Sequence, residues 1–212
     1  MSEIFPLRFQ KGDTSLSSLQ KLFGKSSYQA RNLARACAIY QRMLEEESVI
    51  GLTLAGAMTP AGIGGYIAQM IEMGFIDFIV TTGANITHDT HFPLEGRVVQ
   101  GNPDANDLEL LEEGMERIYD TYLMPEALTK TGQAVDNFIQ ETTFSSPLSS
   151  SEFHHKLGHY LKSLVKGDGP EKRSFLITSS LYGVPVWTPA FGDSEIGMDA
   201  ALKDLDIEDR PI

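Results

Sequence analysis

The sequence predicts an α/β fold with a parallel sheet flanked by helices. Three observations predict it. Two short apolar runs, residues 49–54 and 75–80, enclose one amphipathic stretch. Each opens into a loop of small and hydroxylated residues. A third apolar run, residues 184–188, ends in a loop of the same kind. Strand, helix and strand in that order favour parallel pairing through a right-handed crossover.

The elements follow in order. Ser26-Ser27-Tyr28-Gln29 has the form of a capping box that opens a helix. Ala30, Leu33, Ala34, Cys37 and Leu44 then recur at near-helical spacing. Cys37 falls on that apolar face and reads as a small core residue rather than a nucleophile. Residues 49–54 read as a buried strand running into 55–62. There Thr59 is the expected N-cap and Pro60 the first helical residue. That helix carries Ile63, Ile67, Met70 and Ile71 and ends with Gly74 at C′. Residues 75–80 form the second strand, opening into 81–85. Residues 102–140 carry two helical patterns broken at Pro125, and the Ser/Thr-rich stretch 142–151 reads as a loop. A helix over 152–165 is stopped by Lys166-Gly167-Asp168-Gly169-Pro170. Residues 175–178 and 184–188 read as strands, the second opening into Pro189-Ala190-Phe191-Gly192-Asp193-Ser194.

Length and charge bound the function. The 212 residues, 42% hydrophobic, suffice for one substantial core or two small ones. A single α/β domain over 1–212, with 1–26 as an N-terminal extension, is the expected organisation. A net charge of -12 repels phosphate backbones and disfavours nucleic acid. It favours the approach of cations, polyamines included. The single cysteine rules out an intrachain disulfide and a structural cysteine–zinc site, in keeping with a reducing cytoplasm. Met1-Ser2-Glu3-Ile4-Phe5 lacks a basic stretch leading into an apolar one, and no apolar run approaches the ~20 residues of a membrane span. A cytoplasmic protein without signal peptide or membrane contact is expected. Residues 206–212 read as an arbitrary stop or a cut.

Three strands ending in small-residue loops carry a functional implication. In open α/β sheets ligands bind beyond the carboxyl ends of the strands, where helix N-termini offer free amides to phosphate. A nucleotide or phosphate site near Gly56, Thr82 and Asp193 stands beside the plainer reading, that strand–helix turns need small residues anyway. Gly62-Ile63-Gly64-Gly65 is not a dinucleotide fingerprint, and close helix packing explains it better. His88-Asp89-Thr90-His91 reads as a polar loop bonded to cofactor or substrate, with a metal as the lesser reading. His154, His155 and His159 read as a solvated helix face, since no acidic partner completes a metal motif. Asp193, Glu195 and Asp199 are either ligands for ribose hydroxyls and ammonium groups or first-turn carboxylates of a helix, Asp193 being the better functional candidate. No complete metal-ligand set is visible.

Four stretches together resemble deoxyhypusine synthase and its bacterial and archaeal relatives. SYQARNLARA (27–36) is similar to the family's FQATNFGRA helix. AGAMTPAG (55–62) stands where the family has TSNLISSG. FIDFIVTTGANITHD (75–89) resembles MVDVLVTTAGGVEED, and GVPVWTPAFGDSEIG (183–197) resembles NIPVFSPALTDGSLG. The resemblance covers about residues 27–199. It implies a Rossmann-like α/β fold and an NAD-dependent transferase. In such enzymes NAD oxidises spermidine, and the aminobutyl group passes through an enzyme lysine to an acceptor amine. It also implies a homo-oligomer, a tetramer with sites between paired subunits. By resemblance, Gly56, Ala57, Met58, Thr59 and Pro60 form the first NAD loop. Thr82, Gly83 and Ala84 form the second, and Asp193 contacts NAD. Thr87 and His88 stand where the family has a pair of acidic substrate residues. Met198 aligns with a further substrate Asp, with Asp199 one position on. The family's catalytic lysine lies in a Trp-Gly-Lys motif with no counterpart here, so the catalytic residue is unassigned. The chain is thus expected to be a fragment or split subunit whose lysine comes from a partner segment. The alternatives are a non-catalytic NAD-binding or regulatory subunit, and a metal hydrolase on His88, Asp89 and His91.

Overall fold

The protein is described by a computed structural model covering residues 15–167, 169 and 172–204, without the side chains of 202–204. Residues 1–14 and 205–212 lie outside the described residues, and with them the expectations about the opening residues and the stop. So do 168, 170 and 171 in the helix-stopping run.

The chain divides into two units, Met1–Ile50 and Gly51–Ile212. In the first, helix α1 (Leu16–Gly24) packs on α2 (Tyr28–Glu45). Helix α2 begins where expected, but no capping box forms. The Ser27 hydroxyl accepts from Arg31 Nη2, and the Ser26 hydroxyl donates to the Phe23 carbonyl. Ala34 is the one buried residue of α2, and Cys37 is exposed. The expectation of a core Cys37 therefore fails: a helix packed along one narrow seam leaves most of its apolar spacing in solvent.

The second unit is built on two sheets. Strands β1 (Gly51–Leu54) and β2 (Phe78–Thr81) flank helix α3 (Gly64–Glu72) and pair in parallel, Gly51 with Phe78 and Leu54 with Thr81. Helix α3 starts at Gly64, four residues later than Pro60 would place it. Gly62 takes φ +82°, which interrupts a helical path, and Thr59 commits its hydroxyl elsewhere. The end is as read: the Gly74 and Phe75 amides donate back to Ile71 and Met70. Helix α4 (Gly83–His91) leaves β2 at once.

An antiparallel sheet follows, which the sequence reading missed. Strands β3 (Val98–Gln100), β4 (Glu116–Ile118) and β5 (Thr121–Leu123) pair in the order β3-β5-β4. Helices α5 (Asp107–Glu112) and α6 (Pro125–Glu141) bracket the β4–β5 hairpin, with Pro125 opening α6. The hairpin turns through Tyr119 at φ 56° without an Asn-Gly or Asp-Gly pair, so it carries no turn signature.

Helix α7 (Ser150–Leu164) starts on a complete Ser149–Glu152 capping box. Residues 175–178, read as a strand, belong to helix α8 (Phe175–Tyr182). Ser174 caps it by accepting from Ile177 N–H, and Gly183 at φ 70° ends it. Residues Phe175 to Ser180 are buried on every side of that helix, so no polar face marks its period. Strand β6 (Val186–Trp187) then pairs in parallel with β2, giving the order β1-β2-β6. A 3-10 turn (Phe191–Asp193) and helix α9 (Glu195–Asp204) close the described chain. The core joins Leu54, Ile79 and Val186 of the parallel sheet to Ile67, Ile71, Phe138, Leu157, Leu161 and Leu176 of the helices. The fold is thus α/β with a parallel sheet flanked by helices.

Candidate functional site

The three parallel strands run the same way, so their carboxyl ends and following loops share one edge. A cavity of about 800 Å³ opens there. The first loop contributes Ala55, Gly56 and Ala57, the second Thr82, Gly83 and Ala84 with His88, and the third Thr188, Pro189, Ala190 and Asp193. Of the expected cofactor residues, Gly56, Ala57, Thr82, Gly83, Ala84 and Asp193 line this cavity. Met58 is exposed away from it, and Thr59 and Pro60 are buried beneath the loop.

Buried polar contacts bolt the first two loops together. Thr59 Oγ1 donates to the Asn85 carbonyl (3.0 Å), and Thr59 N–H donates to Asn85 Oδ1 (3.3 Å). Asn85 Nδ2 donates to Thr82 Oγ1 at 3.0 Å. Asn85 is 1% exposed, so these bonds satisfy a side chain that would otherwise cost free energy to bury. The third loop meets the second at Gly83, where a Cβ would lie 2.2 Å from that of Ser194. Only glycine fits that contact. On the other side α7 holds β6: His154, 1% exposed, donates from Nδ1 to the Val186 carbonyl (2.9 Å), and Thr188 N–H donates to Ser150 Oγ (3.1 Å). His154 is therefore not on a solvated face, and burial lowers its proton affinity. His155 and His159 are on that face, their rings 4.7 Å apart.

The cavity wall combines backbone, hydroxyl and carboxylate groups with small side chains. Helix α4 starts at Gly83, so the Gly83 and Ala84 amides precede its first intrahelical bonds, at residues that line the cavity. Buried Thr188 Oγ1 has no hydrogen-bond partner among the described residues, and Asp193 offers an exposed carboxylate. The remaining wall is Gly, Ala, Pro and short aliphatics, which admit close approach to backbone.

The charged residues divide differently from the sequence reading. Asp89 turns away from the histidines. It is fully buried and accepts from the Ser174 hydroxyl, the Phe175 N–H (3.2 Å) and the Leu176 N–H (3.0 Å), anchoring the start of α8. Burial pushes its carboxyl up to about 6 against those three donors. Its oxygen also lies 2.5 Å from where a Gly64 Cβ would be, so the close packing read for 62–65 holds at Gly64, whereas Gly62 is set by its φ of +82° and nothing crowds Gly65. With Asp89 so committed, a metal shared by His88, Asp89 and His91 is excluded. Among the described residues no group of three or more ligands is arranged for a metal. Thr87 is buried, its hydroxyl donating to the Gly83 carbonyl, and does not reach the cavity. His88 does reach it. Half-buried Asp199 lies one helical turn from Glu195 on α9, outside the cavity lining. Burial, then the negative charges of Asp199 and Glu116, push the Glu195 carboxyl up to about 7. Glu195 and Glu116 each stand two residues from a cavity-lining residue, Asp193 and Ile118. Sequence reading missed Asn85, Thr188 and this pairing of Glu195 with Glu116; the last depends on the unsigned β4–β5 hairpin.

A model of the deoxyhypusine synthase family matches residues 18–209. The chain belongs to the deoxyhypusine synthase family. It is 37% identical over 183 residues to a deoxyhypusine synthase-like protein of Nostoc punctiforme, covering 85% of this chain and 47% of that protein. A deoxyhypusine synthase-like protein of Thermosynechococcus vestitus is 36% identical over 193 residues, covering 89% and 48%. The chain thus spans about half the length of these curated relatives. A crystal structure assigned to the deoxyhypusine synthases, from Entamoeba histolytica, superposes with a TM-score of 0.63 at 18% identity, covering 94% of this chain and 68% of that one. That likeness is one of fold. Among the described residues no helix is long and apolar enough to cross a membrane.

Proposed function

We propose that this chain is the NAD-binding portion of a deoxyhypusine-synthase-like aminobutyl transferase acting on a polyamine such as spermidine. The observation that carries the reading is the convergence of three strand-end loops on one cavity with helix amides, small walls and a carboxylate. NAD, when bound, supplies a hydride acceptor. The chain's own residues then do the rest. The Gly83 and Ala84 amides would donate to a phosphate, Asp193 would accept hydrogen bonds from ribose hydroxyls, and Thr188 Oγ1, without a partner among the described residues, would be free to join them. Glu195 and Glu116 hold negative charge beside the cavity, where a cationic amine relieves their repulsion. In this reading the protein works in the cytoplasm as a homo-oligomer, or with a chain carrying the rest of the family sequence.

No lysine lines the cavity among the described residues. Imine chemistry needs a desolvated, positioned lysine. That observation favours a nucleophile supplied by a further segment, and it equally supports the second reading, a non-catalytic NAD-binding or regulatory subunit. Borohydride trapping decides between them. The protein purified with its natural partners, incubated with NAD and spermidine and then reduced, is expected to carry an aminobutyl adduct on a lysine outside these residues. Absence of any adduct on a complex that binds NAD would leave the regulatory reading.

A further inference from the structure

A second cavity, of about 700 Å³, lies in the same unit and shares no lining residue with the first. Its wall is built where α4 gives way to β3 and by the residues that open α3 and lead into α8. Phe92, Val98 and Val99 supply an apolar side. Three cations, Arg97, Lys172 and Arg173, line the cavity against one carboxylate, Glu95. That balance is the reverse of the whole chain's, in which 29 acidic residues outnumber 17 basic ones.

The three cations are not equally engaged. Lys172, 15% exposed in its side chain, donates from Nζ to Glu95 Oε1 (2.9 Å) and to the Lys166 carbonyl. Arg173 meets Glu72 at 3.3 Å, and both side chains are partly exposed, so water weakens that pair. The Arg97 side chain has no hydrogen bond or ion pair among the described residues. Its backbone is nonetheless fixed. The Arg97 carbonyl accepts from the Met124 N–H (3.0 Å), and a Cβ on Gly96 would stand 2.8 Å from Ala127 Cα on α6. Glu95 takes the left-handed φ of 62°, and its carbonyl accepts from Lys130 Nζ (3.0 Å). The hydrogen bond from Lys172, and then its charge, hold the Glu95 carboxyl below the ordinary glutamate range. The carboxylate thus occupies the side of Lys172 that an anionic ligand would take.

We propose that this second cavity binds a phosphorylated small molecule with an apolar body, Arg97, Arg173 and Lys172 holding the phosphate while the body lies on Phe92 and the two valines. A phosphate offers three terminal oxygens, and a guanidinium can meet two of them at once. A cavity of this size, mostly apolar with a few charged groups at one side, has the make-up of a small-ligand site. The acidic surface elsewhere repels such a ligand, so binding is confined to the place where the sign reverses. The site stands independently of what fills the first cavity.

The test is a titration with phenyl phosphate, followed by amide NMR of the whole chain, with inorganic phosphate as the second probe. Phenyl phosphate is expected to saturate and to move the amides of 62–65 and 95–99 while those of Gly83 and Ala84 stay in place. Inorganic phosphate is expected to move the same amides about tenfold more weakly, because it leaves the apolar side uncovered. Arg97→Gln is expected to weaken phenyl phosphate about tenfold, the size of one charge-assisted hydrogen bond. Glu95→Gln, which releases Lys172, is expected to tighten it several-fold. Both side chains are exposed, so both variants are expected to keep the parent's spectrum away from the cavity. A titration that does not saturate, or shifts centred on Gly83 and Ala84, overturns the proposal, as does an Arg97→Gln protein that binds like the parent. Equal affinity for the two probes makes the occupant free phosphate and overturns the phosphorylated molecule.

Discussion

Replacing His91 with glutamine isolates a buried imidazole that the fold keeps neutral. In the native protein burial, with a smaller contribution from His88, lowers His91 from 6.5 to about 4. The unfolded chain therefore binds a proton at His91 through the whole interval in which the folded chain refuses it. Stability from this group is present above pH ~6.5 and is lost as pH falls toward ~4. At about 1.4 kcal/mol per decade of proton affinity, the interval is worth about 3 kcal/mol. Asp89, pushed up to about 6, works in the opposite direction over an overlapping range, because its folded form takes up the proton more readily than the unfolded one. Glu195, pushed up to about 7, does the same. The wild-type profile alone is therefore shallow, and the difference between wild type and His91→Gln is the informative quantity. Guanidinium unfolding at intervals from pH 7.5 to 4 measures it. The variant is expected to start less stable by ~1–2 kcal/mol, from its poorer fit to Thr131 and His88, and to overtake the wild type on acidification. Parallel profiles for the two proteins would refute the account of a buried, neutral His91.

Four further outcomes follow from the geometry. Asp89→Ala strips three buried donors at the start of α8 of their acceptor and is expected to cost about 3–5 kcal/mol in denaturant unfolding. Gly83→Ala forces a Cβ against Ser194 and is expected to cost about 1–3 kcal/mol while displacing the third loop, which thermal unfolding and the amide spectrum of 189–194 would register. Ser149→Ala breaks the capping box of α7 and is expected to cost about 1 kcal/mol, read as a lowered Tm. Cys37, exposed on α2, is expected to react completely with a thiol reagent in the native protein; one that reacts only after unfolding would return it to the core.

The parallel sheet was legible because its signal is local. Residues 49–54 and 75–80 are short apolar runs bounded by small-residue loops, and the strand order places their ends at one edge by topology alone. That is why Gly56, Thr82 and Asp193, far apart in sequence, meet at one cavity. Elements whose signal is non-local were not legible. Helix α8 is buried all round, so Phe175-Leu176-Ile177-Thr178 reads equally well as a strand. The β4–β5 hairpin turns at Tyr119 without a turn residue, and so Ile118 and Glu116 came to the site unannounced. Cys37 and His154 were misplaced in opposite directions for one reason. Spacing shows which residues share a helix face, and only packing decides whether that face is covered. Asp89 could be seen as a polar residue in a polar loop, but the donors it satisfies lie 85 to 87 positions away.

The most direct test of the central claim is a calorimetric titration of this protein with NAD, run beside Gly83→Val. Saturable one-to-one binding to the parent is expected. At least a tenfold loss is expected in a variant that still unfolds cooperatively, because a side chain at Gly83, which lines the cavity, runs into Ser194 and crowds the start of α4. No binding to a cooperatively folded parent, or equal binding to both proteins, would contradict it.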